Sequence, residues 1–227
     1  MWLRQGGRFI ASHISVPTGG PVPDYVHHHD IRFQMIFCHA GSATLVYEDQ
    51  GKPFRFEAGD CVLQPPHIRH QVLETSDGFE VVEIGCPADH PTFRDHDLKL
   101  PTVDSKPNRD FGGQRIVWYR TALAESQAWL AKGFCAADFE FAAATGGLAH
   151  VRLVKATGAT SLDNYEHSDE LAFWFVRRGS STLIRNNVAH QLSQRDSVVF
   201  APGERHQLVE VSQDFEFLEV RVTNEAT

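Results

Sequence analysis

The sequence predicts an all-β protein in which one barrel or sandwich occurs twice in tandem. The first observation is an internal repeat. "HAGSATLV" (39–46) returns as "RRGSSTLI" (177–184), and "GDCVLQPPHIRHQVLE" (59–74) returns as "RDSVVFAPGERHQLVE" (195–210). The separation between the copies falls by two residues along the repeat, which predicts a shorter loop in the second copy. The second observation is the period-two alternation of apolar and polar residues inside each copy.

Short strands account for most of each copy. "SATLVYE" and "PFRFE" alternate apolar and polar residues, and Asp49-Gln50-Gly51 supplies the turn between them. "CVLQPP" and its counterpart "SVVFAP" are apolar strands that end at proline, which cannot donate a hydrogen bond to a sheet. "FEVVEI" and "FEFLEV" each predict one further strand. Many short strands separated by turns are typical of a sandwich or a barrel.

The segment between the copies is rich in Pro, Asp and Gly, which predicts a covering loop. We expect a strand in "RIVWYR" and one short helix in "TALAESQAWLAKG", capped by Thr121 and ended by Gly133. The predicted organisation is a first barrel over residues 1–98, a linker with the short helix over 99–136, and a second barrel over 137–227.

Composition argues against several classes of function. Hydrophobic residues make up 42% of the 227, enough for a substantial core, and the formal net charge is −8 without a cluster of Lys or Arg. Nucleic acid is therefore not an expected partner, because phosphate binding needs a concentrated basic surface. No apolar run approaches the roughly 20 residues of a membrane span, and the N-terminus lacks the apolar stretch of a signal peptide.

The cysteines indicate the compartment. Cys38, Cys61, Cys86 and Cys135 lie far apart and form no C-x-x-C pair. Such a distribution in a chain of this length fits reduced, mostly buried thiols better than a disulfide framework. We therefore expect a cytoplasmic protein with no membrane partner.

Histidines are concentrated in "YVHHHDIRFQ", residues 25–34. Alternate residues of a strand share a face, so His27 and His29 are expected to point together while His28 points away. Gln34 follows five residues after His29, and His70 comes after the next proline-ended strand.

This arrangement resembles the two motifs of the cupin superfamily. The first motif is H-x-H, three or four residues, an acidic residue, six residues and glycine; the second is Gly-Asp, an apolar strand, P-x-G, two residues and histidine. The matching positions are His27, His29, Gln34 and Gly41, then Gly59, Asp60, Pro66, His67 and His70. The resemblance covers both copies and implies two tandem double-stranded β-helix barrels of the jelly-roll type, a bicupin. It also implies that His27, His29, Gln34 and His70 bind one divalent metal in the first barrel.

Two positions depart from the family pattern. His67 stands where glycine is usual, and histidine is among the residues enriched at positive φ. Gln34 stands where glutamate is usual, so the ligand set is neutral and leaves the full charge of M²⁺ on the site. Such a metal should be a stronger Lewis acid and should stabilise a trivalent state less well. Its identity stays open among Zn, Ni, Fe, Mn and Co, which all accept imidazole-rich sites.

The second copy retains fewer of the motif residues. Tyr165 matches His27 and Ala172 matches Gln34, whereas His167 and His206 remain. His167, Glu170 and His206 have the composition of a two-histidine, one-carboxylate site. We favour the alternative, a degraded site retained for packing.

Three further residues are candidates for substrate binding because they lie beside the proposed ligands in sequence. They are Arg32, Gln64 and Arg69. The alternative for each is a place on the strand surface or the rim of the core. The linker group His90, Asp95, His96 and Asp97 resembles a ligand set in composition only, and we expect it in a solvated loop.

The resemblance implies a metal-dependent enzyme that acts as a Lewis acid on a small polar carboxylate- or sugar-like molecule, by isomerase, cyclase or lyase chemistry. One alternative is an Fe(II)-dependent dioxygenase. The other is a non-catalytic small-molecule-binding cupin, because the first copy also resembles the sensing domains of arabinose-type regulators. No DNA-binding helices accompany it here. A homodimer is left open, because cupin barrels often pair through exposed strands.

Overall fold

The structure is a computed structural model that describes residues 2–4 and 7–224. It divides into two compact units, residues 1–123 and 124–227. Both are built almost wholly of antiparallel strands, as the alternating pattern predicts.

The described residues of the first unit form twelve strands and one 3₁₀ turn. The strands are β1 (Trp2–Arg4), β2 (Ile10–Val16), β3 (Gly20–Pro21), β4 (His27–His29), β5 (Phe33–Ala40), β6 (Ser42–Tyr47), β7 (Phe54–Glu57), β8 (Cys61–Leu63), β9 (His70–Thr75), β10 (Phe79–Cys86), β11 (Thr92–Arg94) and β12 (Val117–Tyr119). They form one sheet in the order β1-β2-β10-β5-β8-β12 and a second in the order β11-β4-β9-β6-β7, with β3 beside β9. Such a pair of antiparallel sheets is the jelly-roll arrangement that the motifs imply.

As far as residue 224, where its description ends, the second unit repeats this plan with ten strands. They are β13 (Gln127–Ala128), β14 (Phe134–Asp138), β15 (Ala149–Ala156), β16 (Ser161–Tyr165), β17 (Leu171–Arg178), β18 (Ser180–Arg185), β19 (Val188–Ser193), β20 (Ser197–Phe200), β21 (His206–Val209) and β22 (Glu216–Val222). The sheets run β13-β14-β15-β22-β17-β20 and β16-β21-β18-β19. A short helix, α1 (Phe141–Ala144), lies between β14 and β15.

The helix expected between Thr121 and Gly133 is mostly absent, and that part of the prediction is wrong. A 3₁₀ turn begins at Thr121 but ends at Leu123. Gln127–Ala128 is extended and pairs with β14. Trp129 follows and is buried in the core of the second unit. Burying this large aromatic ring in that core favours the extended chain over the modest helix propensity of the segment.

Two equivalent glycines explain why the repeat keeps Gly at the turns after β5 and β17. Gly41 and Gly179 have φ of +68° and +69°, and a Cβ on either would lie 2.8 Å from the Cα of Phe79 or Phe215, respectively. Only glycine tolerates both the positive φ and this close approach. His67 also has a positive φ of 63°, as expected from its place in the second motif, and its counterpart is Gly203.

The hairpins after β6 and β18 account for the change of spacing in the repeat. β18 and β19 are joined by Asn186-Asn187, both at positive φ, which is the pattern of a two-residue type I′ turn. The corresponding connection between β6 and β7 is longer and contains Asp49, also at positive φ.

The interiors of the two units differ in how they are filled. In the second unit large aromatic rings occupy the centre: Trp129, Tyr165, Trp174, Phe200 and Phe217. The ring centroids of Trp174 and Phe217 lie 4.4 Å apart, and those of Trp174 and Phe200 lie 4.7 Å apart. In the first unit the smaller Ile36 and Val81 stand at the positions of Trp174 and Phe217, and they line a cavity.

Cys38, Cys61, Cys86 and Cys135 are free thiols, and the first three are buried. Within residues 2–4 and 7–224, no helix has the length and apolar character that a membrane crossing requires.

Candidate metal centre

Strand pairing brings the histidines of the first unit together. β4 pairs with β9 so that His27 lies directly opposite His70. His29, two residues after His27, extends from the same face of β4, and on the other side of β9 Tyr47 lies opposite His70. Residues far apart in sequence thus become neighbours on the inner face of one sheet.

One nitrogen of each of His27, His29 and His70 lies within 4.8 Å of the others. The ring centroids of His27 and His70 are 4.3 Å apart, and those of His29 lie 5.2 Å from His27 and 5.3 Å from His70. It is the only such group of His, Cys, Asp or Glu in the part of the chain that the structure describes.

The second nitrogen of each ring, Nδ1, forms a hydrogen bond within the protein. Nδ1 of His27 donates to the carbonyl oxygen of Tyr25 at 2.8 Å, and Nδ1 of His70 donates to that of Ile68 at 3.0 Å. Nδ1 of His29 lies 2.9 Å from Oγ1 of Thr92, on β11. A carbonyl can only accept, so the hydrogen of His27 and His70 is on Nδ1 and the lone pair of Nε2 is left for a metal. Such outer partners orient histidine ligands in metal sites generally.

Burial keeps two of these rings neutral. Desolvation, with a further contribution from neighbouring His27, lowers the pKa of His29 to about 4 and that of His70 to about 3. A metal binds the neutral imidazole, so no proton has to be removed from these two side chains at neutral pH. The arrangement therefore fits a divalent ion.

Gln34 lines the same cavity and is almost fully buried. Its Nε2 donates a 2.6 Å hydrogen bond to Oε1 of Glu83, a residue of β10 that also lines the cavity. A carboxylate can only accept from an amide, so this contact fixes the nitrogen towards Glu83 and leaves the amide oxygen of Gln34 as the group it can offer to a cation.

The cavity has a volume of about 270 Å³ and combines a polar end with an apolar wall. The polar lining residues are His27, His29, Gln34, Tyr47, Gln64, His70, Gln71 and Glu83. Gln64 donates from Nε2 to the Tyr47 hydroxyl at 3.0 Å. Burial raises the pKa of Tyr47 far above its ordinary value, so its hydroxyl stays protonated. Of the three side chains suggested as substrate contacts, Gln64 alone lines the cavity.

The other two candidates are engaged elsewhere. The Arg32 guanidinium contacts Sγ of Cys86, with Nη2 at 2.9 Å. Arg69 donates from Nε to Asp95 at 2.9 Å, and its Nη1 lies 3.5 Å from Glu48. Both arginines thus contact residues outside the cavity lining.

In the second unit, His167 and His206 both contact Phe200. His167 donates from Nε2 to the carbonyl oxygen of Phe200 at 3.2 Å, and the His206 ring stacks on Phe200 with centroids 3.8 Å apart. Tyr165 donates to Glu219 at 2.8 Å. His167, Glu170 and His206 do not meet as a ligand set like the one in the first unit.

Sequence reasoning overlooked Glu83 and Thr92. The repeat could have indicated Glu83. Its equivalent in "FEFLEV" is Glu219, so both copies carry a glutamate on an inner face that is otherwise apolar. Thr92 lies in the segment expected to be loop, and only the pairing of β11 with β4 brings it opposite His29.

Comparison with known proteins gives a family match and several similar folds. The family model for the cupin domain matches twice, at residues 12–84 and 152–221. No curated protein sequence matches significantly. Salicylate 1,2-dioxygenase from Pseudaminobacter salicylatoxidans is 15% identical with a TM-score of 0.73, over 96% of this chain and 72% of that one. A variant of Bacillus subtilis oxalate decarboxylase is 13% identical with a TM-score of 0.69, over 98% of this chain and 71% of that one. At these identities the likeness concerns the fold.

Proposed function

Because the chain belongs to the cupin family, with a cupin domain in each half, we propose that it is a metal-dependent enzyme whose first barrel is catalytic. His27, His29, His70 and Gln34 would hold one divalent ion. The observation that carries the proposal is the convergence of three histidine nitrogens within 4.8 Å. Each opposite ring nitrogen has a protein partner at 3.0 Å or less.

The bound ion would supply Lewis-acid polarisation of a carbonyl or carboxylate oxygen on a small-molecule substrate. Because Gln34 is neutral, no ligand of the ion would cancel part of its charge, which favours isomerase, cyclase or lyase chemistry over redox chemistry. Glu83 is a carboxylate on the cavity wall, within reach of a small substrate, and is the candidate to accept a proton.

Tyr47 and Gln64 supply a second polar contact for the substrate. The Gln64 amide donates to the Tyr47 oxygen, so the hydroxyl hydrogen is available to an acceptor in the cavity. Since burial keeps this hydroxyl protonated, its expected role is to orient a substrate oxygen rather than to act as a base.

A second candidate is an Fe(II)-dependent dioxygenase. Three histidines also suit ferrous iron. The fold shared with a salicylate 1,2-dioxygenase over 96% of this chain supports this candidate. Oxygen uptake by the iron-loaded protein would distinguish it, since the Lewis-acid reactions consume no oxygen.

The test is elemental analysis of protein purified without a histidine tag or chelator. We expect close to one metal per chain, lost in His70→Ala and retained in His28→Ala. His28 is the matched control because it belongs to the same histidine triplet but stacks on Phe93, with centroids 5.3 Å apart. Folded, metal-supplied protein that contains no metal, or equal metal in both variants, would contradict the proposal.

A further inference from the structure

The wall of the cavity opposite the polar end is apolar on both sheets. Val81 and Ile14 are cross-strand neighbours on one sheet, and Leu45 and Val72 are neighbours on the other. All four line the cavity, together with Ile36 and Phe79. Sugars, whose hydroxyl groups need several hydrogen-bond partners, would leave most of those groups unpaired against this wall.

Charge restricts the ligand further. No Lys or Arg is among the described residues that line the cavity, and Glu83 is its one carboxylate. An anionic group can therefore be neutralised only by the metal ion. A second anionic group would face apolar side chains or the formal negative charge of Glu83, at a cost far greater than that of a neutral group.

Size gives an upper limit. A cavity of about 270 Å³ has roughly the liquid volume of nine water molecules. This volume lies just below the usual range for sites that bind drug-sized ligands. A ligand of about ten non-hydrogen atoms would fill it, since a well-packed site leaves little empty volume.

We propose that the first barrel takes a small monocarboxylate with a 2-oxo or 2-hydroxy group and a branched or aromatic apolar body. The chelating oxygens would face the histidines and Gln34, and the apolar body would contact Ile36, Val81 and their neighbours. This inference rests on the proposed metal site and narrows its substrate, disfavouring the sugar-like molecules expected from sequence.

The second barrel provides variants for the test. Trp174 stands at the position equivalent to Ile36, and Phe217 at the position equivalent to Val81. Both rings fill the space that is open in the first barrel. Ile36→Trp should therefore close the apolar part of the cavity without removing a metal ligand. Val81→Phe is the smaller change, in case the first variant does not fold.

The experiment is a ligand titration of the cobalt(II)-loaded protein, followed by the visible absorption of the ion. The probes are 2-oxo-4-methylpentanoate, 2-oxoglutarate and xylose. The two acids share a 2-oxo acid group, but the first ends in an apolar chain and the second in an anionic one. We expect 2-oxo-4-methylpentanoate to bind at least about tenfold more tightly than 2-oxoglutarate, because a second charge has no partner, and xylose to cause no change. Ile36→Trp or Val81→Phe should weaken 2-oxo-4-methylpentanoate at least about tenfold with the cobalt content retained.

The outcomes separate the two proposals. Tighter binding of 2-oxoglutarate or xylose, or unchanged affinity in folded cavity-filling variants, would overturn the substrate class and leave the metal site standing. Failure of the folded wild-type protein to bind cobalt would overturn both.

Discussion

Gln34 and Glu83 form a 2.6 Å hydrogen bond from amide nitrogen to carboxylate oxygen inside the first barrel. The equivalent positions in the second barrel are Ala172 and Glu219. There the retained carboxylate accepts from Tyr165, the residue that replaces His27. The glutamate at this position, half-buried in the first barrel and fully buried in the second, thus orients an amide beside the candidate metal centre in one copy and a phenol of the packed core in the other.

Removal of the Glu83 carboxylate should weaken metal binding without removing a ligand. Glu83→Ala frees the Gln34 amide to rotate, and loss of such an outer partner commonly costs about 10–100-fold in metal affinity. Glu83→Gln keeps an acceptor oxygen, so it should lose less. Competition with a chromophoric chelator would measure both. Equal losses, or none in Glu83→Ala, would mean that Glu83 does not position Gln34.

His27→Tyr should produce a folded protein that binds no metal at this site. The second barrel accommodates tyrosine at this position, with its hydroxyl on the glutamate equivalent to Glu83. In the variant, the phenol would compete with the Gln34 amide for Glu83 as well as removing one imidazole. Metal content and circular dichroism provide the check, and a metal content equal to wild type would exclude His27 as a ligand.

Restoring the missing ligand types should not create a site in the second barrel. The double variant Tyr165→His, Ala172→Gln regains the residues of the first barrel, but the rings of Trp174 and Trp129 still occupy its centre. Its metal content should equal that of the wild-type protein. A second metal per chain would mean that packing does not decide the difference between the copies.

Trp174→Ala should destabilise the protein far more than Ile36→Ala. Trp174 is 1% exposed, and emptying a packed aromatic site costs about 3–5 kcal/mol in free energy of unfolding. Ile36 borders an existing cavity, so its truncation removes fewer contacts and should cost about 2 kcal/mol or less. Urea denaturation of both variants measures the difference, and similar costs would contradict the contrast between a filled and a hollow barrel.

Metal-free protein should lose stability as the pH falls below about 6.5. Burial, the main cause, and the neighbouring His27, the second, lower the pKa of His70 from its ordinary 6.5 to about 3. Between about pH 3 and pH 6.5 the unfolded chain therefore binds a proton at His70 that the folded chain does not bind. Each such histidine contributes a slope of up to about 1.4 kcal/mol per pH unit, with stability rising as pH rises. Urea denaturation with chelator at pH 4–7 measures it. His70→Asn should have a shallower slope, and an unchanged slope would indicate that His70 is protonated in the folded state.

The sequence by itself determined the duplication, the all-β class, and the positions of His27, His29, Gln34 and His70 within motifs. These features depend on the local periodicity of apolar residues and on the number of residues between strands, and both can be read directly from the amino-acid sequence. It did not determine the segment after Thr121, because the burial of Trp129 in a distant core outweighs local helix propensity.

Tertiary structure decided which residues surround the histidines. His27 meets His70 because β4 pairs with β9, and Thr92 reaches His29 because β11 pairs with β4. Arg69, adjacent to His70 in sequence, contacts Asp95 instead of the cavity. Neighbouring residues of a strand face opposite sides of the sheet, so the residue next to a ligand in sequence is not expected to share its cavity. The site is assembled only by the register between strands that are distant in sequence.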